Sequence, residues 1–213
     1  METVKRTYLP AAGHDWALPL YDPLLKLLGA ERAQAALLEQ AGLQTASRIL
    51  DIGCGTGTVA VRLKREHPGI AVTGLDPDPK ALDRAAEKAR RARVAIRFDR
   101  GFADELPYDD GAFDRVLSSF MFHHLKPQQR EQTLREALRV LAPGGSLHLL
   151  DFEHDEPSRG GLMARLHANH VLGDNSESRI LALMRSAGFT SAKKMQTRLM
   201  LFGVFRIGCY AAS

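Results

Sequence analysis

Asp51-Ile52-Gly53-Cys54-Gly55-Thr56-Gly57 places three glycines at alternate positions, with a carboxylate two residues before the first. Lacking a Cβ, Gly53, Gly55 and Gly57 can take positive φ and let a ligand approach the backbone, while the N–H groups opening the next helix point at it. The pattern predicts a nucleotide cradle. A dinucleotide fingerprint reads G-x-G-x-x-G, and here the third glycine arrives one residue early. Further on, Val72-Thr73-Gly74-Leu75-Asp76 ends in a second carboxylate. An Asp before a proline also serves as a turn residue or helix cap. With the glycine loop upstream, Asp76 reads as the acceptor for ribose hydroxyls, and Pro77 as a surface beside the base.

Both carboxylates and the loop need strands to hold them. Arg48-Ile49-Leu50-Asp51-Ile52 reads as a strand feeding the loop. Beyond it the pattern predicts helix 57–66, strand 70–75, helix 79–91, strand 93–98, loop 99–112, strand 113–119, helix 127–141 and strand 145–151. Such alternation implies right-handed crossovers and a parallel sheet with helices on both faces, its ligands at the strands' carboxyl ends. Two helical stretches precede the first strand, within a cover of residues 1–45, and stop at Gly29 and Gly42. Residues 153–175 read as an insertion of helix and loop over the site, followed by a helix at about 176–187. Two terminal strands, 189–198 and 200–210, turn around Gly203. We read residues 1–213 as one domain.

The loop D-x-G-x-G-x-G resembles motif I of the class I S-adenosylmethionine-dependent methyltransferases. Gly101-Phe102-Ala103-Asp104-Glu105-Leu106-Pro107-Tyr108-Asp109-Asp110-Gly111-Ala112-Phe113-Asp114 and Leu141-Ala142-Pro143-Gly144-Gly145 are similar to stretches of its ubiquinone/menaquinone C-methyltransferase-like branch. The resemblance covers about residues 20–210. It implies an α/β, Rossmann-like fold with a seven-stranded, mostly parallel sheet and one antiparallel C-terminal strand. It also implies S-adenosyl-L-methionine as cofactor and S-adenosyl-L-homocysteine as product. A sulfonium ligand with an ammonium group suits a loop with a carboxylate at its mouth, where a pyrophosphate would be repelled. By the resemblance Asp104 accepts from the adenine amino group and Ala103 supplies a backbone contact; the alternative for Asp104 is a cap on a short turn. Tyr21 closes over the methionine end or else packs in an amphipathic helix, and Cys54 and Ser119 complete the cofactor set. Asp109 and Asp114 read as turn residues.

Methyl transfer is an in-line displacement that aligning and desolvating the partners can drive, and a base is needed only where the acceptor must lose a proton. His123 and His124, after strand four, are the candidates, against the alternative of structural histidines bonded to backbone. His14, Asp15, Asp151, Glu153, His154, His167 and His170 lie in segments read as flexible covers. No H-E-x-x-H pattern or cysteine cluster marks a metal site. Trp16 and Phe120 read as cavity or core aromatics. At the end of strand four Ser118-Ser119-Phe120-Met121 replaces the Asn/Asp-Pro-Pro-Tyr/Phe signature of amino-methyltransferases acting on nucleic acid or protein. Apolar Phe120, Met121, Phe122 and Leu125 favour a small, partly apolar acceptor. A binding protein without turnover is the alternative reading.

The chain has 213 residues, 45% of them hydrophobic and 25% charged, ample for one globular core. No apolar run reaches the roughly 20 residues of a membrane span, and the first residues lack the apolar segment of a secretory signal. Only Cys54 and Cys209 are present, so no disulfide framework is expected. These features predict a cytoplasmic protein. The net charge of +4 includes Arg90, Arg91, Arg93, Arg97 and Arg100, which close a helix and enter a strand, so a solvated face is favoured over nucleic-acid binding.

Overall fold

A computed structural model describes residues 29–43, 48–153, 175–200 and 205–213. The order is α1 (Ala30–Gln40), β1 (Arg48–Ile52), α2 (Thr58–Glu66), β2 (Ala71–Asp76), α3 (Pro79–Ala92), β3 (Arg97–Arg100) and β4 (Phe113–Ser119). A 3₁₀ turn (Phe122–His124), α4 (Pro127–Val140), β5 (Leu141–Glu153), α5 (Glu177–Ser186), β6 (Ala192–Met200) and β7 (Phe205–Ala212) follow. His14, Asp15, Trp16, Tyr21, His154, His167, His170 and the turn at Gly203 lie outside the described residues.

The strands form one seven-stranded sheet in the order β3-β2-β1-β4-β5-β7-β6. Neighbours among β1 to β5 pair in parallel, and β7 runs antiparallel to both β5 and β6. This is the Rossmann-like architecture expected. Side chains alternate across the strands, so β1, β2, β4, β5 and β7 each feed two cores. Leu50, Ile52, Val116 and Leu149 meet α4 and α5 through Leu134, Ala137, Ile180 and Met184. Ile49, Val72 and Leu117 meet α2 through Val59, Ala60 and Leu63. On α1, Ala33 and Leu37 cover Leu150, Ile207 and Cys209. The order reverses between β1 and β4, and ligands of such sheets sit beyond the strands' carboxyl ends at that reversal. Among the described residues no helix is long and apolar enough to cross a membrane.

Several boundaries and one residue role depart from the sequence expectation; the terminal strands expected at 189–198 and 200–210 are β6 (Ala192–Met200) and β7 (Phe205–Ala212). The strand expected at 93–98 is β3 at 97–100, because Arg93 closes α3 in a left-handed conformation (φ 56°) and the Val94 N–H returns to Ala89 O at 3.1 Å. That 6→1 bond is a Schellman closure, which defers the strand. The strand expected at 145–151 begins at Leu141, with Pro143-Gly144-Gly145 as an irregularity inside β5 where the register against β4 shifts. Asp114 is a β4 residue, not a turn residue. Its carboxylate accepts from the Arg48 N–H at 2.9 Å and the Arg48 guanidinium at 2.8 Å, which clamps the start of β1 to β4.

Candidate active site

Gly53, Gly55 and Gly57 all hold positive φ (69°, 51° and 74°), and each does so for a different neighbour. A Cβ on Gly57 would lie 2.8 Å from Ala85 Cβ, so this glycine seats α2 against α3. A Cβ on Gly53 would strike Met121, whose own Cβ lies 2.7 Å from that position. Of the three, only Gly55 meets nothing within 4 Å among the described residues, so its face is open to a ligand. Gly53 and Cys54 donate to Leu75 O at 2.8 and 3.0 Å, which ties the loop to the end of β2. Cys54 is buried against Gly74, and burial together with Asp51 and Asp76 pushes its thiol well above the usual range. It is a wall of the loop rather than a nucleophile.

Two carboxylates face this loop from β1 and β2. Asp76 accepts from the Gly55 N–H and the Asp78 N–H, each at 2.9 Å, and burial raises its pKa against the lowering effect of those bonds. Each carboxylate oxygen can accept twice, so capacity remains for ribose hydroxyls. Asp51 is 1% exposed, and neither of its oxygens has a hydrogen-bond partner among the described residues. Burial, reinforced by the charge of Asp76, lifts its pKa to about 7. A buried carboxylate with no partner among the described residues, beside an open glycine, suits an ammonium or sulfonium ligand, so the donor set fits S-adenosylmethionine. Pro77 is half-buried, its carbonyl accepting from Arg100 Nε at 3.3 Å. Ala103 packs on the main core, and Asp104, half-buried, accepts from Gln129 Nε2 at 3.4 Å. Ser119 ends β4, half-buried.

Immediately after β4, Phe120 is a buried non-glycine residue at φ 55°. Its N–H bonds Leu150 O at 2.8 Å, and its ring packs on Phe152 with centroids 5.1 Å apart. Such backbone costs of order 1–3 kcal/mol and persists where its surroundings demand it. The bend launches Met121 over Gly53 and leads into the turn carrying His123 and His124. His123 Nδ1 lies 2.5 Å from Asp151 Oδ1, and the His123 N–H donates to Asp151 Oδ2 at 2.8 Å. Both side chains are almost fully buried, at 5% and 0% exposure. The Phe152 N–H also donates to Asp151 Oδ1, at 2.7 Å, so three N–H donors converge on this carboxylate. Arg130 braces the turn from α4, donating to Leu125 O at 3.0 Å and His123 O at 3.3 Å. The His124 ring lies 4.0 Å from that of His123, and burial, aided by His123, lowers its pKa to about 4.

Asp151 and Glu153 therefore stand in β5 itself, not in a flexible cover. Glu153 accepts from Lys194 at 2.7 Å, from Arg206 at 3.2 Å and from the Tyr210 hydroxyl, and so is committed to β6 and β7. Nothing local in sequence pairs Asp151 with His123, 28 residues earlier. The usable signal was its place at the carboxyl end of the strand next to β4, where the parallel register pairs Ser119 with Leu150. Phe120 and Arg130 were missed as supports, because nothing local in sequence announces a strained bend or a distant carbonyl.

Fold and site together define a class I S-adenosylmethionine-dependent methyltransferase, and the chain belongs to that family. A methyltransferase-domain family model matches residues 49–145. Within the family, the chain falls in the ubiquinone/menaquinone C-methyltransferase-like branch. It is 38% identical over 157 residues to a demethylmenaquinone methyltransferase of Deinococcus radiodurans, covering 72% of this chain and 64% of the relative. A demethylmenaquinone methyltransferase of Thermus thermophilus is 39% identical, with 72% and 70% covered. The fold matches a solved Haemonchus contortus phosphoethanolamine N-methyltransferase 2 in complex with S-adenosyl-L-methionine, at TM-score 0.78, 18% identity, and 94% and 57% coverage.

Proposed function

We propose that this chain methylates a small aromatic acceptor activated by loss of a hydroxyl proton, a phenol or the reduced form of a quinone. The buried His123–Asp151 pair at the mouth of β4 and β5 carries this reading. S-adenosylmethionine, when bound, supplies an electrophilic methyl on a sulfonium. Asp51, Asp76 and the Gly55 face hold that donor, with Asp104, Ala103, Pro77 and Ser119 lining its adenosine and methionine ends. The Asp151 carboxylate accepts from His123 Nδ1–H, which leaves the lone pair on Nε2 free to take a proton. His124 stays neutral near pH 7 and adds no competing cation. Deprotonating a ring hydroxyl raises electron density on its oxygen and on the adjacent ring carbons, so one base serves either O- or C-methylation. The two bacterial relatives named as demethylmenaquinone methyltransferases support a ring of this type.

The test is S-adenosylhomocysteine release with 1,4-dihydroxynaphthalene, aniline and thiophenol as separate acceptors. The expected result is turnover with the dihydroxy ring and little with the others. Equal or faster turnover of aniline or thiophenol would overturn the reading.

A further inference from the structure

We propose that Met121 is the wall that sets the size of the alkyl group the donor can carry, so that the site discriminates methyl from larger transferable groups. This rests on the methyltransferase reading for the identity of the donor, and not on the assignment of a base. The observation is the contrast between two glycines of one loop. Gly55 meets nothing within 4 Å among the described residues, whereas Gly53, two residues earlier, is roofed by the Met121 side chain so closely that no Cβ could stand there. A ligand seated on Gly55 is therefore bounded, on the Gly53 side, by a thioether side chain.

Met121 also links the glycine loop to the histidine turn. Its carbonyl accepts from the His124 N–H at 2.9 Å, so it opens the turn that carries His123 and His124. One end of this residue touches the donor loop and the other begins the turn of the histidine pair. The left-handed bend at Phe120, anchored through Leu150 O and Phe152, holds Met121 at that junction. Alternation along a strand could not do this, because β4 has already ended at Ser119. Methionine is flexible and polarisable, which lets it close around a sulfonium substituent without presenting a charge to it. It is half-buried and packs against the edge of the main core, so shortening it opens room at the site without emptying the interior.

The experiment is calorimetric titration of wild type, Met121→Ala, Met121→Val and Met121→Leu with S-adenosylmethionine, S-adenosyl-L-ethionine and S-adenosylhomocysteine. No acceptor is needed. Wild type should bind the ethyl donor about tenfold or more weakly than the methyl donor, the scale on which an apolar wall rejects one methylene. In Met121→Ala, and to a lesser degree Met121→Val, that ratio should fall to about threefold or less, while Met121→Leu keeps it. S-adenosylhomocysteine carries no transferable group, so its affinity should stay within about twofold of wild type in all variants, which also reports a folded loop. An ethyl-to-methyl ratio near one in wild type, or a ratio unchanged in Met121→Val and Met121→Ala, overturns the proposal. So does an equal loss of all three ligands, since that places Met121 on the amino-acid end. Failure of wild type to bind S-adenosylmethionine at all would instead contradict the methyltransferase reading itself.

Discussion

Asp51 stands out at the scale of single residues, because it is buried, unpaired among the described residues, and lifted to a pKa of about 7. A cationic ligand beside it favours the charged form, so binding must expel the proton that Asp51 holds below that pH. Donor affinity should therefore climb as pH rises from about 5.5 to 7 and level off above it. Calorimetry near pH 6.5 in buffers of differing ionisation enthalpy should show proton release. In Asp51→Asn both the slope and the release should vanish, and affinity should fall by about tenfold or more, as expected for losing a buried charge-assisted contact. A pH-independent wild type would remove Asp51 from the donor's ammonium. Much of this layer was legible in sequence, since Asp51, Asp76 and the glycines declare themselves by spacing. What spacing could not convey is that the three glycines serve a roof, an opening and a helix contact. Those roles depend on Met121, Ala85 and empty space, brought together from across the chain.

At the scale of elements, α2 and α3 must approach closely for β1 and β2 to deliver their carboxylates to one loop. Gly57 permits this as the left-handed N-cap just before α2, with Ala85 of α3 against it. Gly57→Ala should cost about 1–3 kcal/mol through the backbone alone, with overpacking against Ala85 in addition. For a domain of this size that lowers the melting temperature by about 2–4 °C per kcal/mol, and donor affinity should weaken with it. Gly55→Ala has open space but the same kind of backbone, so it should destabilise less and weaken donor binding more. A reversal of that order would mean the two glycines have been given each other's roles. Strand and helix periodicity placed nearly all of these elements. It misjudged β3 and the start of β5, where a left-handed arginine and a Pro-Gly-Gly kink override local pattern. It also left Asp151 without His123, because a pairing between β5 and the turn after β4, 28 residues apart, has no local signature.

Over the whole molecule, buried ionisable groups set how stability follows pH. Burial lowers His124 and His148 to about 4, and His148 also feels Arg115. Between about pH 6.5 and 4 the unfolded chain binds protons at these positions and the native chain does not, so stability present above 6.5 is lost as pH falls through that window. Asp51 has the opposite sign. Its raised pKa means that the native state holds a proton the unfolded state has released, which favours folding as pH drops from about 7 towards 4. Thermal melts of His148→Gln should show a shallower acid decline than wild type, and melts of Asp51→Asn a steeper one. Parallel curves for all three proteins would show that these groups do not govern the acid limb. Sheet order, burial and ion pairs at this scale emerge only once the chain closes, whereas the order of strands and helices along it was already readable.

In the proposed reaction His123, held by Asp151, removes a hydroxyl proton from the acceptor. Its most direct measurement is kcat for methyl transfer to 1,4-dihydroxynaphthalene in wild type, His123→Gln and Asp151→Asn, with S-adenosylmethionine affinity measured alongside. His123→Gln should lose about a hundredfold or more in kcat, the scale of a lost general base, and Asp151→Asn a comparable amount, while donor affinity stays within about twofold. Wild-type kcat in His123→Gln with the donor still bound would contradict it.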